Sequence, residues 1–397
     1  MNPFLSLNFI KMIEKVFILG NHIQALGIAR QVKNHGLETY LFISDNISIT
    51  RFSNCIKKTI LFKDKIDLIE KINSYKETSK NIILLPTNDD MVKFLRENYY
   101  ILIDDFYLGI PSPDIVDIFY NKKNSYQFCS YNDIPHPKSF YPNSMNDVIK
   151  FSGEIDYPVI IKPSVMFTFH KLFGVKAYKC QNAQEMIDKI KFITSIVSIN
   201  EVIIQEFLEG GPENLFSYGV FAVGGNPVAA VMANRIRQNP MDFGNSSTFA
   251  VTCNIGQIRS LSEKILSLTN YTGLAEIEFM YDKKTNLYKF LEINPRTWKW
   301  HIISNKLGFS FVCKMIEWIN NGEKDTIINF DDKVAWVERL TDFSVIIKEL
   351  FYGNNILKKS INSYKKIPKV YAVWDRNDPL PFIMYILLFP ILYFKRY

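Results

Sequence analysis

Two polar side chains near residue 290 have the type and spacing of metal ligands. The stretch YKFLEINPRTWKWH reads as a buried strand, yet Glu292 and Asn294 interrupt its apolar run two residues apart. Side chains two apart on a strand share a face, so both groups lie together at the strand's end. The preceding LAEIEFMYDKKTN reads as the outgoing strand of a hairpin. With its loop centred near Lys284 and Thr285, Glu278 lies within one register step of Glu292.

These three oxygen-bearing side chains predict a site for a hard divalent cation. Two carboxylates are costly to bury together unless a cation neutralises them. Oxygen ligands without His or Cys suit Mg²⁺, which keeps several waters and bridges substrate phosphates. Mn²⁺ is the second candidate. The alternative is a solvent-facing strand edge with ordinary surface acids. The flanking Ile, Phe and Leu argue against that edge without excluding it, so both interpretations stay open at this point.

The composition predicts a globular protein and disfavours several classes. The chain has 397 residues, enough for two or three compact units, and its 47% hydrophobic and 22% charged content fits a packed protein. The net charge of +7 favours anionic ligands or an anionic membrane surface. No dense Lys/Arg stripe with interleaved aromatics occurs, so no nucleic-acid partner is expected. Five scattered cysteines without a C-x-x-C pair suit a reducing compartment.

The two ends of the sequence bear on localisation. MNPFLSLNFIKMIEKVF lacks the basic start, clean apolar stretch and small-residue cleavage site of a signal peptide. No apolar run has the length of a spanning helix. We therefore expect a cytoplasmic protein.

The C-terminal stretch DPLPFIMYILLFPILYFKRY is unusually apolar and has no charge from Pro381 to Phe394. It is too short for a confident bilayer span, and Pro390 is expected to interrupt any helix built on it. Four residues are of types that favour a membrane–water boundary: Tyr385, Tyr393, Lys395 and Arg396. This pattern predicts peripheral contact with the inner face of the membrane. The alternative is a tail packed into a groove of the protein or against a partner in a homodimer.

Strands and helices alternate over the first 112 residues. KVFILG is a short strand, NHIQALGIARQVKNHG a helix ending at Gly36, and ETYLFIS the next strand. A helix around DLIEKINSY, the strand NIILLPT and the helix DDMVKFLREN complete a βαβαβα pattern, which is typical of a parallel sheet with helices on both faces. The first turn has Gly20 and Gly27 instead of G-x-G-x-x-G, which disfavours a nicotinamide-dependent dehydrogenase.

From about residue 112 the pattern changes to paired helices and hairpins. PSPDIVDIFYNKKNSYQFCSYNDIPHPKSF reads as a helix pair closed by a Pro-rich turn. LFSYGVFAVGGNPVAAVMANRIRQ reads as a hairpin that turns at Gly224, Gly225 and Asn226. The predicted units are an α/β domain over 1–112, a second domain over 113–320 that holds the site, and a C-terminal extension over 321–397.

The hairpin LAEIEFMYD…YKFLEINPR resembles the metal-binding hairpin of the ATP-grasp superfamily, which includes D-alanine–D-alanine ligase, biotin carboxylase and carbamoyl phosphate synthetase. The variant GLAEIEF…LEINPRTWKWH is most similar to the D-aspartate ligase-like branch. The resemblance extends over roughly residues 15–320. It implies a doubly wound α/β pre-ATP-grasp domain followed by an α+β ATP-grasp fold, with ATP and Mg²⁺ as cofactors.

The resemblance also implies nucleotide-binding residues. Lys162 in YPVIIKPS matches the strand lysine that reaches the nucleotide phosphates, and Lys122 matches an earlier lysine that contacts the nucleotide. A Lys on an apolar strand is costly unless its ammonium meets an anion, although snorkelling to solvent is the alternative. Lys123, beside Lys122, could take the second role instead.

The segment IIQEFLEGGPE resembles the hinge that binds adenine. Its predicted contacts with the base come from Gln205, Glu206, Phe207 and Leu208. Glu213 matches the acid that accepts hydrogen bonds from the ribose hydroxyls, with Glu209 as the alternative.

Two arginines are expected to act on the reacting groups. Arg296 matches the arginine that stabilises charge on the transferring phosphoryl group or the acyl intermediate. Arg235 and Arg237 alternate along a neighbouring strand and are expected to share a face. Arg237, with the following FGNSST, resembles a turn that binds phosphate or a substrate carboxylate, while a salt bridge to a nearby acid is the alternative for Arg235. Asp342 has no evident partner in the sequence.

The sequence differs from the ATP-grasp pattern in the loop that follows Lys162. Many ATP-grasp proteins have a Gly-rich loop here that closes over the triphosphate, whereas SVMFTFHKLFGV contains Gly174 alone. His170, Lys171 and Lys176 are then candidates for phosphate contact, and closure over 164–176 is in question.

The resemblance implies an ATP-dependent carboxylate–amine ligase. A carboxylate would attack the γ-phosphate of ATP, and an amine would displace phosphate from the acyl phosphate to give an amide, ADP and phosphate. The branch implies an amino acid as the acid and an amine on a cell-wall or surface-polysaccharide precursor as the acceptor. The alternative function is a non-catalytic nucleotide-binding scaffold of a membrane-associated glycan-assembly complex.

Overall fold

The computed structural model describes residues 12–76, 81–164, 172–175, 177–241, 244, 246–322, 325–328, 330–353, 357–365 and 367–396. The loop candidates His170, Lys171 and Lys176 lie outside these residues, so the prediction about loop closure is not addressed by the structure.

The first sheet is parallel and has the strand order β3-β2-β1-β4-β5. Its elements are β1 (Lys15–Leu19), α1 (Ile23–Lys33), β2 (Glu38–Ile43), β3 (Lys58–Leu61), α2 (Lys65–Ser74), β4 (Ile82–Pro86), α3 (Asp89–Glu97), α4 (Tyr99–Leu102) and β5 (Tyr107–Leu108). β1 and β4 are buried along their whole length, as expected for strands covered on both faces. The predicted doubly wound α/β fold is confirmed.

The second sheet is small and antiparallel, with the order β6-β9-β7-β8. The elements of this region are α5 (Pro113–Tyr120), α6 (Lys122–Tyr131), β6 (Ser139–Phe140), α7 (Met145–Ser152), β7 (Val159–Pro163), β8 (Tyr178–Cys180), α8 (Ala183–Thr194) and β9 (Val202–Glu206). α7 and α8 pack on the sheet through a separate cluster that includes Val148, Met186 and Ile190. The predicted helix pair is α5 and α6.

The third sheet is the largest and has the order β14-β13-β10-β11-β12-β16-β17, with β15 beside β11. Its region comprises β10 (Leu215–Val223), β11 (Asn226–Asn239), β12 (Ser246–Thr252), α9 (Gly256–Leu268), β13 (Gly273–Asp282), β14 (Leu287–Asn294), α10 (Phe311–Asn321), β15 (Ile327–Ile328), β16 (Ala335–Val337), α11 (Arg339–Phe351), α12 (Leu357–Tyr364), β17 (Lys369–Tyr371) and α13 (Leu380–Arg396). Short 3-10 helices cover Thr50–Phe52, Ile199–Glu201, Pro212–Asn214 and His301–Leu307. β10 and β11 form the predicted hairpin, with Gly224 and Gly225 both at positive φ.

One hydrophobic cluster joins the first and third sheets. It runs from α1 and β1 to the buried side chains of Phe221, Trp298 and Trp336. α1 approaches the 3-10 helix His301–Leu307 so closely that a Cβ added to Gly27 would lie 2.5 Å from Cγ2 of Ile302. Gly27 therefore serves packing between the two parts of the molecule.

The segment beyond residue 320 is integrated into the third sheet, because β16 and β17 extend it past β12. The domain boundaries at 112 and 320 stay a prediction. α13 continues through Pro390, so the expectation that this proline interrupts the helix is wrong. Proline removes one backbone hydrogen bond, while Tyr385 and Phe389 before it and Leu392 after it pack on the protein core and hold the helix on both sides of Pro390. Over the described part of the chain, no helix combines the length and hydropathy required to cross a bilayer.

Candidate active site

A cavity of about 270 Å³ lies between the second and third sheets. β7 contributes Lys162, the end of β9 contributes Phe207, and α6 contributes Lys122. The opposite wall carries Glu278 from β13 and Glu292 from β14. The residues that the sequence predicted for phosphate and base binding therefore meet Glu278 and Glu292 in one cavity, whose lining does not include Asn294.

The β13–β14 hairpin sets the carboxylates face to face. Glu278 lies directly opposite Glu292, which confirms the predicted register, and Glu276 lies opposite Asn294. The turn is stabilised by Asp282, which accepts hydrogen bonds from the amide of Lys284 at 3.0 Å and from the Thr285 hydroxyl at 2.7 Å. These local contacts hold the turn, and a bulge between Glu278 and Phe279 then shifts the pairing by one residue, which brings Glu278 opposite Glu292.

Cations accompany both carboxylates. Arg235 Nη2 donates to Glu278 Oε2 at 3.0 Å, and the Lys122 ammonium donates to Glu292. Lys162 Nζ donates to the Tyr126 hydroxyl at 2.8 Å and lies 4.8 Å from the centre of its ring. The cationic side chains leave the cavity suited to a polyanionic ligand.

Burial changes the protonation of these groups. Burial and the neighbouring Lys122 hold the pKa of Lys162 well below its usual value, against the smaller opposing effect of Glu292. For Lys122 burial is the largest single effect and lowers the pKa, but the combined effects of Glu292, Tyr126 and Glu278 outweigh it and the net pKa is raised. Burial, followed by the charge of Glu278, raises the pKa of Glu276 to about 7.

The residues fit Mg²⁺ bound together with nucleotide phosphates. In the described part of the chain, no group of three or more His, Cys, Asp and Glu forms a complete metal site. The two opposed carboxylates and the Asn294 amide offer part of an oxygen coordination sphere beside the cavity. Mg²⁺ is usually held in this way, by one or two carboxylates with waters and phosphates completing its coordination. The metal role of Glu278, Glu292 and Asn294 stays a prediction.

The hinge segment has fewer free backbone groups than the sequence suggested. The amide of Glu206 donates to Lys138 O at 2.9 Å and that of Phe207 donates to Pro158 O at 3.2 Å. Base recognition here would therefore use carbonyl groups and the Leu208 amide. The Gln205 side chain donates a hydrogen bond to Ser139 Oγ at 2.7 Å. It therefore has a structural contact in addition to its predicted contact with the base.

Glu213 is exposed and lines a second cavity of about 430 Å³. This cavity and the first share Gly211 and Met241. Glu213 is thus beside the first cavity, and its ribose contact stays a prediction.

Arg235 and Arg237 do not share a face, so that expectation is wrong. Register shifts on either side of Arg237 break the alternation of β11 against β12. Arg235 consequently contacts Glu278, while Arg237 forms a two-pronged ion pair with Asp342 on α11, both bonds being 2.8 Å. The catalytic role of Arg237 stays a prediction that this placement does not support.

Arg296 links the β13–β14 hairpin to the domain that contains the first sheet. Its Nε donates to Asp89 Oδ1 at 2.7 Å, and its Nη2 donates to Asn294 Oδ1 at 3.2 Å. Asp89 begins α3, whose N-cap is Asn88. The guanidinium therefore lies beside the predicted metal ligands, where the sequence placed it.

Sequence reasoning missed three contributors to the site. Glu276 precedes Glu278 by two residues, so the spacing rule that paired Glu292 with Asn294 also applies to it. Tyr126 follows Lys122 by four residues in a helix and so shares its face. Asp89 is 207 residues from Arg296 in sequence, and no local pattern indicates that contact.

Nucleotide binding at a pH above the lowered pKa of Lys162 is expected to take up about one proton. Lys162 loses its proton in the free protein as the pH rises through its lowered pKa, and phosphate charge restores the ammonium form. ADP affinity should therefore increase as the pH falls towards that pKa. Calorimetric titration in buffers of different ionisation enthalpy measures the uptake, and Lys162→Met should remove it. Identical binding enthalpies in all buffers would contradict this protonation model.

Comparison with known proteins agrees with this geometry. The family model described as "Carbamoyl-phosphate synthase L chain, ATP binding domain" matches residues 122–326, slightly more than half of the chain. D-aspartate ligase of Enterococcus faecium is 22% identical over 300 residues, covering 70% of each chain. The carbamoyl phosphate synthase large chain of Methanobrevibacter smithii is 28% identical over 220 residues, which are 51% of this chain and 20% of that protein.

Two solved structures share the fold. N5-carboxyaminoimidazole synthetase from Staphylococcus aureus, complexed with ADP, has a TM-score of 0.66 and 13% identity, covering 86% of this chain and 87% of its own. The biotin carboxylase domain of Hydrogenobacter thermophilus 2-oxoglutarate carboxylase, in complex with MgADP, has a TM-score of 0.64 and 15% identity, covering 81% and 73%. Because the family model matches more than half of this chain, the chain belongs to the carbamoyl-phosphate synthase L chain ATP-binding domain family and is an ATP-grasp ligase that uses ATP.

Proposed function

We propose that this protein joins a carboxylate to an amine through an acyl phosphate. A carboxylate oxygen attacks the γ-phosphorus of ATP, and the bond to the ADP oxygen breaks. The amine nitrogen then attacks the acyl carbon, phosphate leaves, and the amine's proton passes to solvent. The observation that carries the proposal is the direct opposition of Glu278 and Glu292 across a hairpin, in one cavity with Lys122 and Lys162.

Each residue has a proposed part in this reaction. Glu278, Glu292 and Asn294 hold Mg²⁺, which when bound neutralises and orients the terminal phosphates. Lys122 and Lys162 bind phosphate oxygens, because both side chains line the cavity, from α6 and β7. Catalysis then consists mainly of positioning and charge stabilisation.

Further roles follow from position around the same cavity. Arg296, bonded to Asn294, stabilises negative charge on the transferring phosphoryl or acyl group. The hinge residues are proposed to bind adenine and Glu213 the ribose; these are Gln205, Glu206, Phe207, Leu208 and Glu213. Arg235, although it was not among the predicted catalytic residues, is the arginine of β11 that contacts a proposed metal ligand.

The proposed acid is an amino acid, and the proposed acceptor is an amine on a cell-wall or surface-polysaccharide precursor. The similarity to D-aspartate ligase over 70% of both chains supports the amino acid. A screen for ADP release over D- and L-amino acids with candidate amines, followed by mass spectrometry of the product, tests this. An amide product with stoichiometric ADP is expected. Nucleotide binding without ADP release from any acid would instead favour the non-catalytic scaffold.

We further propose that the protein acts in the cytoplasm at the inner face of the membrane, because α13 has two different faces. The buried face of the α13 helix packs on the rest of the protein. Tyr385 is 1% exposed, its hydroxyl donates to Glu338, and Phe389 packs against the core. The outer face remains apolar and open to solvent. Its exposed members are Ile383 (50%), Ile386 (49%), Leu387 (66%) and Ile391 (48%).

Charge supports an anionic lipid surface as the partner of this outer face. Residues 339–397 contain ten Lys and Arg against four Asp and Glu, so they carry +6 of the chain's formal net charge of +7. Near an anionic leaflet each basic residue contributes about 1 kcal/mol of binding free energy. An apolar helix face within a basic segment is the usual composition of an interfacial anchor. The two alternatives left by the sequence are thus combined, since the helix packs on the protein and keeps an exposed apolar face.

Substitutions on the outer face of α13 are expected to release the protein from vesicles. The double variant Ile383→Asp/Leu387→Asp should no longer sediment with liposomes containing anionic lipid, because two acids replace apolar contacts. Ile66→Asp, at a 72% exposed position on α2, is the matched control and should still sediment. Deleting residues 380–397 is a poorer test because it also removes Tyr385 from buried Glu338.

The competing occupant of this face is a second copy of the chain. If the native protein fails to sediment with liposomes but the double variant changes from dimer to monomer in analytical ultracentrifugation, the face is a homodimer interface and lipid contact is wrong.

A further inference from the structure

Glu276 lies in the hairpin two residues before Glu278 and has no role in the reaction proposed above. It is 6% exposed and opposite Asn294 in the strand pairing. Trp300 Nε1 donates to Glu276 Oε1 at 2.8 Å, and Asn294 Nδ2 donates to Glu276 Oε2 at 3.3 Å. Both carboxylate oxygens therefore have partners within the protein.

The neighbours of Asn294 determine which way its amide points. Nδ2 donates to Glu276 and also to Glu278 Oε1 at 3.2 Å, whereas Oδ1 accepts from Arg296 Nη2 at 3.2 Å. Ionised carboxylates only accept hydrogen bonds and a guanidinium only donates them. The reversed amide would place its oxygen against two carboxylates and its NH₂ against Arg296. This environment therefore favours one orientation.

A carboxamide binds a metal ion through its oxygen, so the orientation of Asn294 matters for the metal site. We infer that Glu276, held by Trp300, is a positioning residue that keeps the oxygen of Asn294 available to the divalent cation. The inference rests on the metal site in the proposed function. Partners that orient a metal ligand commonly change metal affinity by about 10- to 100-fold when they are removed.

Glu276 is well placed for such a role because its support is rigid. Trp300 is 2% exposed and packs against Trp298 with 5.3 Å between ring centres. The cavity is lined by Glu278 and Glu292 but not by Glu276. This placement distinguishes Glu276 from the two carboxylates that face the cavity.

The inference is tested with Mn²⁺ as the probe, using the full chain with ADP and electron paramagnetic resonance. Glu276→Gln is expected to weaken Mn²⁺ binding by about 10- to 100-fold, with unchanged affinity for ADP in the presence of a chelator. Glu154→Gln makes the same chemical change at an exposed position and should leave both affinities unchanged. Circular dichroism and the melting temperature report whether each variant is folded.

A second experiment, in the Asn294→Asp variant, distinguishes the positioning of the side chain at residue 294 from a general loss of negative charge. In Asn294→Asp the residue can no longer donate to Glu276, and the two carboxylates repel each other. Adding Glu276→Gln restores a donor opposite an acceptor, so the double variant should bind Mn²⁺ more tightly than Asn294→Asp alone. The effect of Glu276→Gln thus changes sign between the two backgrounds.

Four results would overturn the inference. Equal weakening in both backgrounds would show that only charge matters, and a loss as large as that in Glu278→Gln would make Glu276 a direct ligand. Unchanged Mn²⁺ affinity in Glu276→Gln would show that Asn294 needs no such support. Failure of the native protein to bind Mn²⁺ with ADP would remove the metal site itself. Mn²⁺ binding without any ligase turnover would contradict only the proposed reaction.

Discussion

Replacing Glu292 with Gln is expected to lower kcat by about a thousandfold while the protein stays folded. The substitution keeps the shape of the side chain and removes one of the two charges that face each other across the β13–β14 hairpin. Gln still offers an oxygen to the Lys122 ammonium, so the loss is expected in metal and phosphate binding at the transition state. Initial rates of ADP release at saturating ATP and Mg²⁺ measure it.

Two comparisons make the Glu292 result specific. Asn294→Ala should lower turnover in the same manner, and Glu154→Gln should leave kcat unchanged because that side chain is exposed. Unchanged kcat in a folded Glu292→Gln protein would remove this residue from the metal site.

The largest effect on stability is expected from Arg237→Met. This arginine and Asp342 form a buried ion pair, and the carboxylate side chain of Asp342 has 0% exposure. Asp342 also accepts hydrogen bonds from Thr248 Oγ1 at 2.8 Å and from the Tyr364 hydroxyl at 2.7 Å. Removing the guanidinium leaves a buried charge without its counter-ion, which is expected to cost about 3–5 kcal/mol of unfolding free energy. Urea denaturation monitored by tryptophan fluorescence measures this change.

The double variant Arg237→Met/Asp342→Leu separates structure from catalysis. Replacing both partners by apolar groups is often near neutral, so part of the lost stability should return, with a remaining loss because Thr248 and Tyr364 no longer have Asp342 as acceptor. If Arg237 is structural, the stable double variant keeps its turnover. A stable double variant without turnover would instead support the catalytic role predicted from the sequence. Failure of the double variant to regain stability would show that the ion pair does not explain the loss.

The β13–β14 hairpin could be predicted in part because its turn and its spacing are local. A period of two places Glu292 and Asn294 on one face, and a turn near Lys284 predicts Glu278 within one residue of Glu292. The bulge between Glu278 and Phe279, which brings Glu278 directly opposite Glu292, has no local signal in the sequence. The same rule extends to Glu276, so that omission was avoidable. The alternation of strands and helices over the first 112 residues was predictable for the same reason, since each element carries its own hydrophobic period.

The predictions failed where the direction of a side chain depends on a partner that is far away in the sequence. Residues 235 and 237 alternate in sequence, but irregular pairing with β12 changes where Arg237 points, and its partner is 105 residues away. The contact between Arg296 and Asp89 likewise depends on how the first sheet's domain packs on the hairpin. The exposed outer face of α13 could not be predicted because every face of this helix is apolar. Only the tertiary packing of Tyr385 and Phe389 distinguishes the buried face from the exposed one.

Trapping the acyl phosphate tests the central claim most directly. The protein is incubated with ATP, Mg²⁺, hydroxylamine and the amino acid that releases ADP in the screen. The proposed reaction predicts a hydroxamate of that amino acid with one ADP per product, and no hydroxamate when ATP, Mg²⁺ or the acid is omitted. A hydroxamate formed together with AMP and pyrophosphate would show adenylate chemistry and would contradict the acyl-phosphate mechanism.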